Sequence, residues 1–355
     1  MPTALALVVS KRNGQAAVTL TRKMDLINSS LKVFATDGEL CIPLAHQANE
    51  SEAEGLFREL GPIKTEEREF SERPPKHRTL TEALRARLPS DALPIVSRSL
   101  DIVGDIAIVE PSSELAQFER AIGEAILEAC PNVHAVMAKA GSFSSDYRIR
   151  DLRLIAGADR SVTCHREHGC LFELDVKAVF FSTRLSHERL RVASQVEPDE
   201  TVLDMFAGVG PYSILIAKKQ PTATVHAVDV NPAAFRFLVS NILLNKVHGN
   251  VKAAMGDVRE VVESSLVGTA DRAIMNLPGK AHDFVDLACL GIRKNGGVIH
   301  FYSFEKSENW QEAALAKLNE RVQASGRRVK DVLATRIVKE IAPYRVQVAV
   351  DARVS

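Results

Sequence analysis

The chain lacks any surplus of charge. Its 355 residues carry 45 Lys+Arg against 45 Asp+Glu, so the whole molecule presents no polyanion-binding field. Any contact with nucleic acid has to come from local basic patches. Cysteine is sparse. The five thiols, Cys41, Cys130, Cys164, Cys170 and Cys289, are odd in number and scattered, which excludes a disulfide framework. With no secretory signal in MPTALALVVSKRNGQ, a reducing, cytoplasmic setting is expected. The apolar run in that stretch is too short to span a bilayer, and no internal repeat or low-complexity segment stands out. An apolar content of 46% is ample for real cores, and the length suits two or three domains.

Taken in order, residues 1–62 read as a small α/β unit. ALALVVS and ELCIPLA have the look of strands, with a helical stretch around Thr19 to Leu31 between them. Residues 63–78 read as a linker, because KTEEREFSERPPKHR is highly charged and contains Pro74-Pro75. Residues 79–196 read as an α+β domain. TLTEALRARL has a helical period, SLDIVGDIAIVE two short strands broken at Gly104, and QFERAIGEAILEAC an amphipathic helix with Phe118, Ile122, Ile126 and Leu127 on one side. VHAVMAKAG, YRIRDLRLIAG, SVTCHREHG and CLFELDVKAVFFS follow as successive strands. Arg148, Arg150 and Arg153 alternate with Ile149, Leu152 and Leu154, which places the arginines largely on one strand face. That face is either solvated or meets phosphate. Cys164, His165, His168 and Cys170 invite a zinc reading, but the paired spacing of zinc sites is absent and a hairpin turn at Gly169 explains the segment; no metal is expected.

The rest of the chain, 197–355, is organised around the stretch VLDMFAGVGPYSILIAKK that begins at Val202. It reads as strand, glycine turn and helix. Glycine tolerates positive φ and lets a ligand approach the backbone, and the helix start offers unpaired N–H groups. Strand-like and helical segments then alternate to the end of the chain, a pattern that demands a mostly parallel sheet covered on both faces. The last two strand-like runs, either side of Ala342-Pro343-Tyr344, suggest a terminal hairpin placing one antiparallel strand at the sheet edge. Ligands of such sheets gather at the carboxyl ends of the strands, where Asp204, Asp229, Asp257 and Asn276 fall. Asp229 is suited to ribose hydroxyls and Asp257 to an adenine edge, although an acid at a strand end can also simply cap the next helix. Gly208 and Gly210 form G-x-G, and Ser213 stands where the dinucleotide fingerprint has its third glycine. An adenosyl ligand without pyrophosphate fits this better than NAD.

DMFAGVGPYS, AVDVNP, GDVRE, NLPGKAH and IHFYS, together with YRIRDLRLIAG and FFSTRLSHER, resemble the S-adenosylmethionine-dependent tRNA (guanine37-N1)-methyltransferases of archaea and eukaryotes, the Trm5 family. The resemblance covers most of 100–350 and is weaker over 1–62. It implies a class I, Rossmann-like methyltransferase domain at 197–355, an RNA-binding domain at 79–196, and a small N-terminal domain that contacts tRNA. A monomer with no metal and no membrane association is expected, and the resemblance implies action on the anticodon loop and body of tRNA. In that picture Phe180, Phe206, Gly208, Gly210, Asp229, Val230, Asp257, Val258 and Asn276 surround S-adenosylmethionine, and Arg189 meets its methionine end. Glu188 is the general base that takes the N1 proton, Arg148 stabilises charge on guanine O6, and Asn276, Leu277 and Pro278 shape the base pocket. Without the resemblance, Glu188 reads as a solvated helical acid. The family often has Tyr where Phe180 stands and Pro where Thr183 stands, so a role needing that hydroxyl is absent here. Two rivals remain: a wybutosine-pathway aminocarboxypropyl transferase and a non-catalytic tRNA-binding protein.

Overall fold

The computed structural model describes residues 1–46, 48–72, 78–96, 100–140 and 151–355. They form two units, Met1–Arg78 and Thr79–Ser355. The first contains β1 (Thr3–Ser10), α1 (Gly14–Lys23), β2 (Phe34–Ala35), β3 (Glu39–Pro43), α2 (Glu50–Leu60) and β4 (Lys64–Glu69). Its antiparallel sheet has the order β2-β3-β1-β4. Alternation along β1 serves both faces. Leu7 and Val9 share a core with Ala17, Leu56 and Leu60 of the two helices, and Ala6 and Val8 pack with Leu31 and Phe70.

Two expectations for this region are corrected. The helix placed at Thr19 to Leu31 lies earlier, at Gly14–Lys23. It stops because Asp25 is left-handed at φ 56°, and the apolar residues beyond it run extended to an isolated bridge between Ile27 and Leu44. The expected linker is in part a strand, since Lys64–Glu69 pairs with β1 from Val8↔Lys64 to Thr3↔Glu69. An edge strand needs only a backbone partner, and charged side chains protect its open side, with Glu66 paired to both Lys64 and Arg68. Pro74-Pro75 lie outside the described residues.

The second unit opens with α3 (Leu80–Arg85), β5 (Leu100–Val103), β6 (Ile106–Val109), α4 (Glu119–Ala129), β7 (Ala135–Lys139) and β8 (Leu152–Gly157), whose strands form one sheet in sequence order. Next come the hairpin of β9 (Val162–Glu167) and β10 (Cys170–Asp175), and then α5 (Ser186–Ala193). The hairpin turn is made by His168 at φ 48° and Gly169 at φ 78°, as the turn reading of this segment required. Arg153 of β8 pairs with Glu119, so its charge is already met by protein, while Arg148 and Arg150 lie outside the described residues.

The seven-stranded sheet is built from β11 (Thr201–Asp204), α6 (Pro211–Lys219), β12 (Thr224–Asp229), α7 (Pro232–Leu244), β13 (Val251–Met255), α8 (Val258–Val261), β14 (Arg272–Met275), α9 (Val285–Gly291), β15 (Gly297–Lys306), α10 (Trp310–Ala324), β16 (Val329–Ala342) and β17 (Arg345–Val354). Its order is β13-β12-β11-β14-β15-β17-β16. One face packs with residues of α5, α6 and α7, the other with residues of α9 and α10. The terminal hairpin is present, but its antiparallel strand is not the edge. β17 inserts between β15 and β16, and β16 becomes the outer strand. Burial explains this choice: Val346 to Ala352 are buried without a break, as an interior strand requires, whereas β16 exposes Val332, Leu333 and Ile337.

The boundary expected at 196/197 is not a structural break. Phe172, Leu174, Val192 and Val196 share one core with Val209, Ile214 and Leu238. The side-chain amides of Asn241 on α7 and of Asn245, its C-cap one turn on, take the backbone N–H and C=O of Glu173 and Leu171 at 2.6–3.0 Å. Those amides do for β10 what a neighbouring strand would do.

Asp204, at the end of β11, is fully buried. Its Oδ2 accepts from Ser213 Oγ at 2.7 Å, tying the strand to the first turns of α6. Burial pushes its carboxyl up to about 7 from 3.8. The unfolded chain therefore loses this proton first as pH rises, and stability falls between those two values. Asp204→Asn removes that cost, so its melting temperature relative to the parent should rise as pH is taken from 5 to 8; a constant difference would contradict the assignment. Gly210 sits at φ 90°, and a Cβ there would lie 2.6 Å from Leu238 Cδ1. Gly210→Ala should cost at least about 1 kcal/mol, read as a lower denaturant midpoint.

Candidate active site

The carboxyl ends of β11, β12, β13 and β14 place Asp204, Asp229, Asp257 and Asn276 along one edge, as the strand pattern demanded. Asp229 is the knot of this edge. Its Oδ2 accepts the Gly208 N–H at 2.6 Å and its Oδ1 the Asn231 N–H at 2.9 Å, which binds the glycine turn to the start of α7. Burial raises its carboxyl above the usual range, and the two N–H bonds pull the other way. Each oxygen keeps a lone pair for a ligand hydroxyl. Gly208 has φ 58°, and the nearest atom to a Cβ built there is Phe180 O at 4.0 Å, so the turn leaves room directly above its backbone. Asn231 caps α7 through Ala233 N and reaches back to Ala178 O at 3.0 Å, which holds the segment leading to Phe180 over that turn.

Beside Asp229, Val230 is half exposed at the lip. Asp257 caps α8 by accepting from Arg259 N at 2.9 Å, and Val258 is buried behind it. So the capping reading holds for Asp257, and the partly exposed carboxylate still faces outward. Phe206 meets Phe284 edge to face with centroids 5.1 Å apart, and the Arg259 guanidinium lies 4.2 Å over Phe284. Phe284, Arg259 and Asn231 were missed as site residues. Asn231-Pro232 carried a visible helix-start signal, but the meeting of Phe284 with Phe206 is long-range and had none. An open glycine backbone, an anchored acid with spare lone pairs and an aromatic pair fit an adenosyl group and require no pyrophosphate partner.

Asn276 and Pro278 line a wide cleft with Phe180, Ser182, Thr183 and Gln347, and the Gln347 amide reaches Asn276 Oδ1 at 3.5 Å. Arg189 does not face this cleft. It is 1% exposed; Nη1 donates to Glu167 Oε2 and Nη2 to Ser182 O, both at 2.6 Å, and the guanidinium stacks on Phe181. The expectation that it meets a ligand carboxylate is therefore corrected: the hairpin supplies Glu167 as its anion, and its bond to Ser182 O fixes the segment that lines the cleft.

Glu188 is not a solvated helical acid. On α5, three residues past the cleft-lining Leu185, its carboxylate is only 2% exposed. Oε1 accepts from Tyr302 Oη at 2.7 Å and Arg191 Nη2 at 2.6 Å, and Oε2 from Arg191 Nε at 2.9 Å. Arg336 of β16 stands 3.7 Å from Oε2, beyond hydrogen-bond reach. Arg148 lies outside the described residues. Among the described residues no His, Cys, Asp and Glu group is placed to hold a metal, and no helix is long and apolar enough to cross a membrane.

Residues 163–330 match the family model described as the TRM5/TYW2 methyltransferase domain, and residues 80–160 match the TYW2 N-terminal domain. The chain is 36% identical to tRNA (guanine(37)-N(1))-methyltransferase Trm5b of Pyrococcus abyssi, over 99% of both proteins. It is similar to the solved complex of aTrm5 and tRNALeu, with a TM-score of 0.72 and 29% identity over 99% of this chain and 100% of that one. It is also similar to Methanocaldococcus jannaschii TYW2 in complex with AdoMet, with a TM-score of 0.56 and 27% identity over 72% of this chain and 99% of that one. The sheet order, the anchored glycine turn and full-length similarity agree, and the chain belongs to the TRM5/TYW2 methyltransferase family.

Proposed function

We propose that this protein transfers the methyl group of S-adenosylmethionine to N1 of guanosine 37 in tRNA. The observation that carries the reading is the open, Asp229-anchored glycine turn beside a cleft lined by Phe180, Asn276 and Pro278, in a chain similar to Trm5b along its whole length. When bound, S-adenosylmethionine supplies an electrophilic methyl on a sulfonium. Asp229 accepts from the ribose hydroxyls, Val230 and the Phe206–Phe284 pair flank the nucleoside, and Asp257 and Val258 meet the adenine edge. Gly208 and Gly210 allow the close backbone approach. Asn276, Leu277 and Pro278 receive the target guanine beside Phe180, whose ring offers packing without a hydroxyl. Arg189 acts through Ser182 by fixing that wall.

Guanine N1 becomes a good nucleophile only as its proton leaves, and Glu188 is the base assigned to that proton. Its Oε2 accepts one hydrogen bond among the described residues and so keeps a lone pair for an incoming N–H. Arg148 is assigned to the charge developing on O6. The protein contacts the anticodon loop through 79–196 and the tRNA body through its first unit, and acts as a monomer in the cytoplasm.

Incubating the protein with methyl-labelled S-adenosylmethionine and unmodified tRNA carrying G37 should label it, and the A37 transcript should stay unlabelled. A gain of the aminocarboxypropyl group would place the chain on the TYW2 branch, and cofactor binding without transfer would make it a binding protein. Glu188→Gln should lower single-turnover methyl transfer by about 100-fold or more with tRNA affinity little changed. Full activity would remove Glu188 from the mechanism. Asp229→Asn replaces one acceptor oxygen with an N–H donor, so cofactor affinity measured by calorimetry should fall by about tenfold or more.

A further inference from the structure

Glu188 is one end of a chain of buried polar groups on the face of the seven-stranded sheet covered by α5 and α6. The Arg191 guanidinium grips two carboxylates at once. Nε and Nη2 donate to Glu188, while Nη1 and Nη2 donate to Asp351, the latter at 3.1 Å. Asp351 is 1% exposed on β17, directly across from His300 on β15, whose Nδ1 lies 2.7 Å from Asp351 Oδ1. His300 is fully buried, and Arg272 Nη1 lies 2.9 Å from its Nε2. A guanidinium can only donate, so Nε2 is the acceptor and Nδ1–H donates to Asp351. Arg272 is in turn held by Glu200 at 3.0 and 3.1 Å and by Gln195 O at 2.9 Å. The Gln195 amide also reaches Asp351 Oδ2 at 3.3 Å, and Tyr212 Oη donates to Tyr302 Oη at 3.2 Å.

We propose that Asp351, fixed by His300, is a positioning residue that sets both the aim and the basicity of Glu188 through their shared Arg191. This rests on the reading of Glu188 as the base. Two anions competing for one cation each receive less of it than either would alone, so the second carboxylate keeps the first from being neutralised into a poor proton acceptor. Tyr302 acts in the opposite sense, because its O–H stabilises the Glu188 anion directly. Among the described residues, the charged and titratable groups against this pair are Arg191 from α5, His300 and Tyr302 from β15 and Arg336 from β16, with Tyr212 of α6, Arg272 of β14 and Glu200 before β11 one contact further out. Burial and the two arginines hold His300 below its usual range, so it stays neutral.

The test is the pH dependence of single-turnover methyl transfer to G37 tRNA by the full chain. Asp351→Asn should move the acidic limb down by roughly one pH unit and lower the plateau rate; Tyr302→Phe should move it up, also by up to about one unit. Opposite shifts are the expected result. A merely structural role would lower the melting temperature of both variants and leave the limb in place, which would overturn the inference, as would shifts in the same direction. If Asp351→Asn does not fold, Tyr302→Phe decides alone, and an unmoved limb overturns the inference. Loss of activity in Glu188→Gln alongside unmoved limbs defeats this inference and spares the proposed function. An active Glu188→Gln removes Glu188 as the base and with it this inference, while the transfer of methyl to G37 stands.

Discussion

The grip of the Asp229 carboxylate on two backbone N–H groups holds the functional edge together. One belongs to the glycine turn after β11 and the other to the start of α7. Both oxygens are used, so the carboxylate cannot rotate, and the turn cannot lift without leaving a buried anion short of donors. The Asn231 side chain extends the same knot to Ala178 O and so to the Phe180 segment. Three stretches distant in the chain therefore present one rigid rim, as a site that must orient a small ligand requires.

Behind that rim the protein tolerates an unusual amount of buried charge. Glu188, Arg191, Asp351, His300, Arg272 and Glu200 form one hydrogen-bonded chain in which His300 donates to Asp351 and accepts from Arg272, so the desolvation of each charged group is offset by a neighbour in the chain. Asp351 is held far below the ordinary carboxylate range: burial works to raise it, but the His300 and Arg191 hydrogen bonds win. This balance depends on β17 lying between β15 and β16. Were β17 the outer strand with the same pairing to β16 alone, Asp351 would lose the cross-strand neighbour that donates to it.

Much of the methyltransferase half was legible because its signals are local. Apolar runs at strand length, helices between them, G-x-G and the acids at strand ends are all readable within a few residues. The N-terminal helix was misplaced because Leu26 and Ile27 extend an apolar pattern past a left-handed Asp25, and conformation at a single residue is not written in hydrophobic periodicity. The charged run 64–69 read as a linker because an edge strand takes its stability from a partner's backbone, which composition does not reveal.

The sequence by itself determined the alternation of elements, the glycine turn, and which residue types stand at the ends of β11 to β14, because each depends on near neighbours in the chain. Only the tertiary structure decided that Arg189 serves Glu167 and Ser182, that Phe284 meets Phe206, and that Glu188 shares Arg191 with Asp351. Those pairings join residues from 3 to 160 positions apart, and all but the Glu188–Arg191 contact reach beyond one helical turn. They are selected by burial: a charge or ring removed from water takes the best partner the packing brings, and packing is a property of the whole sheet.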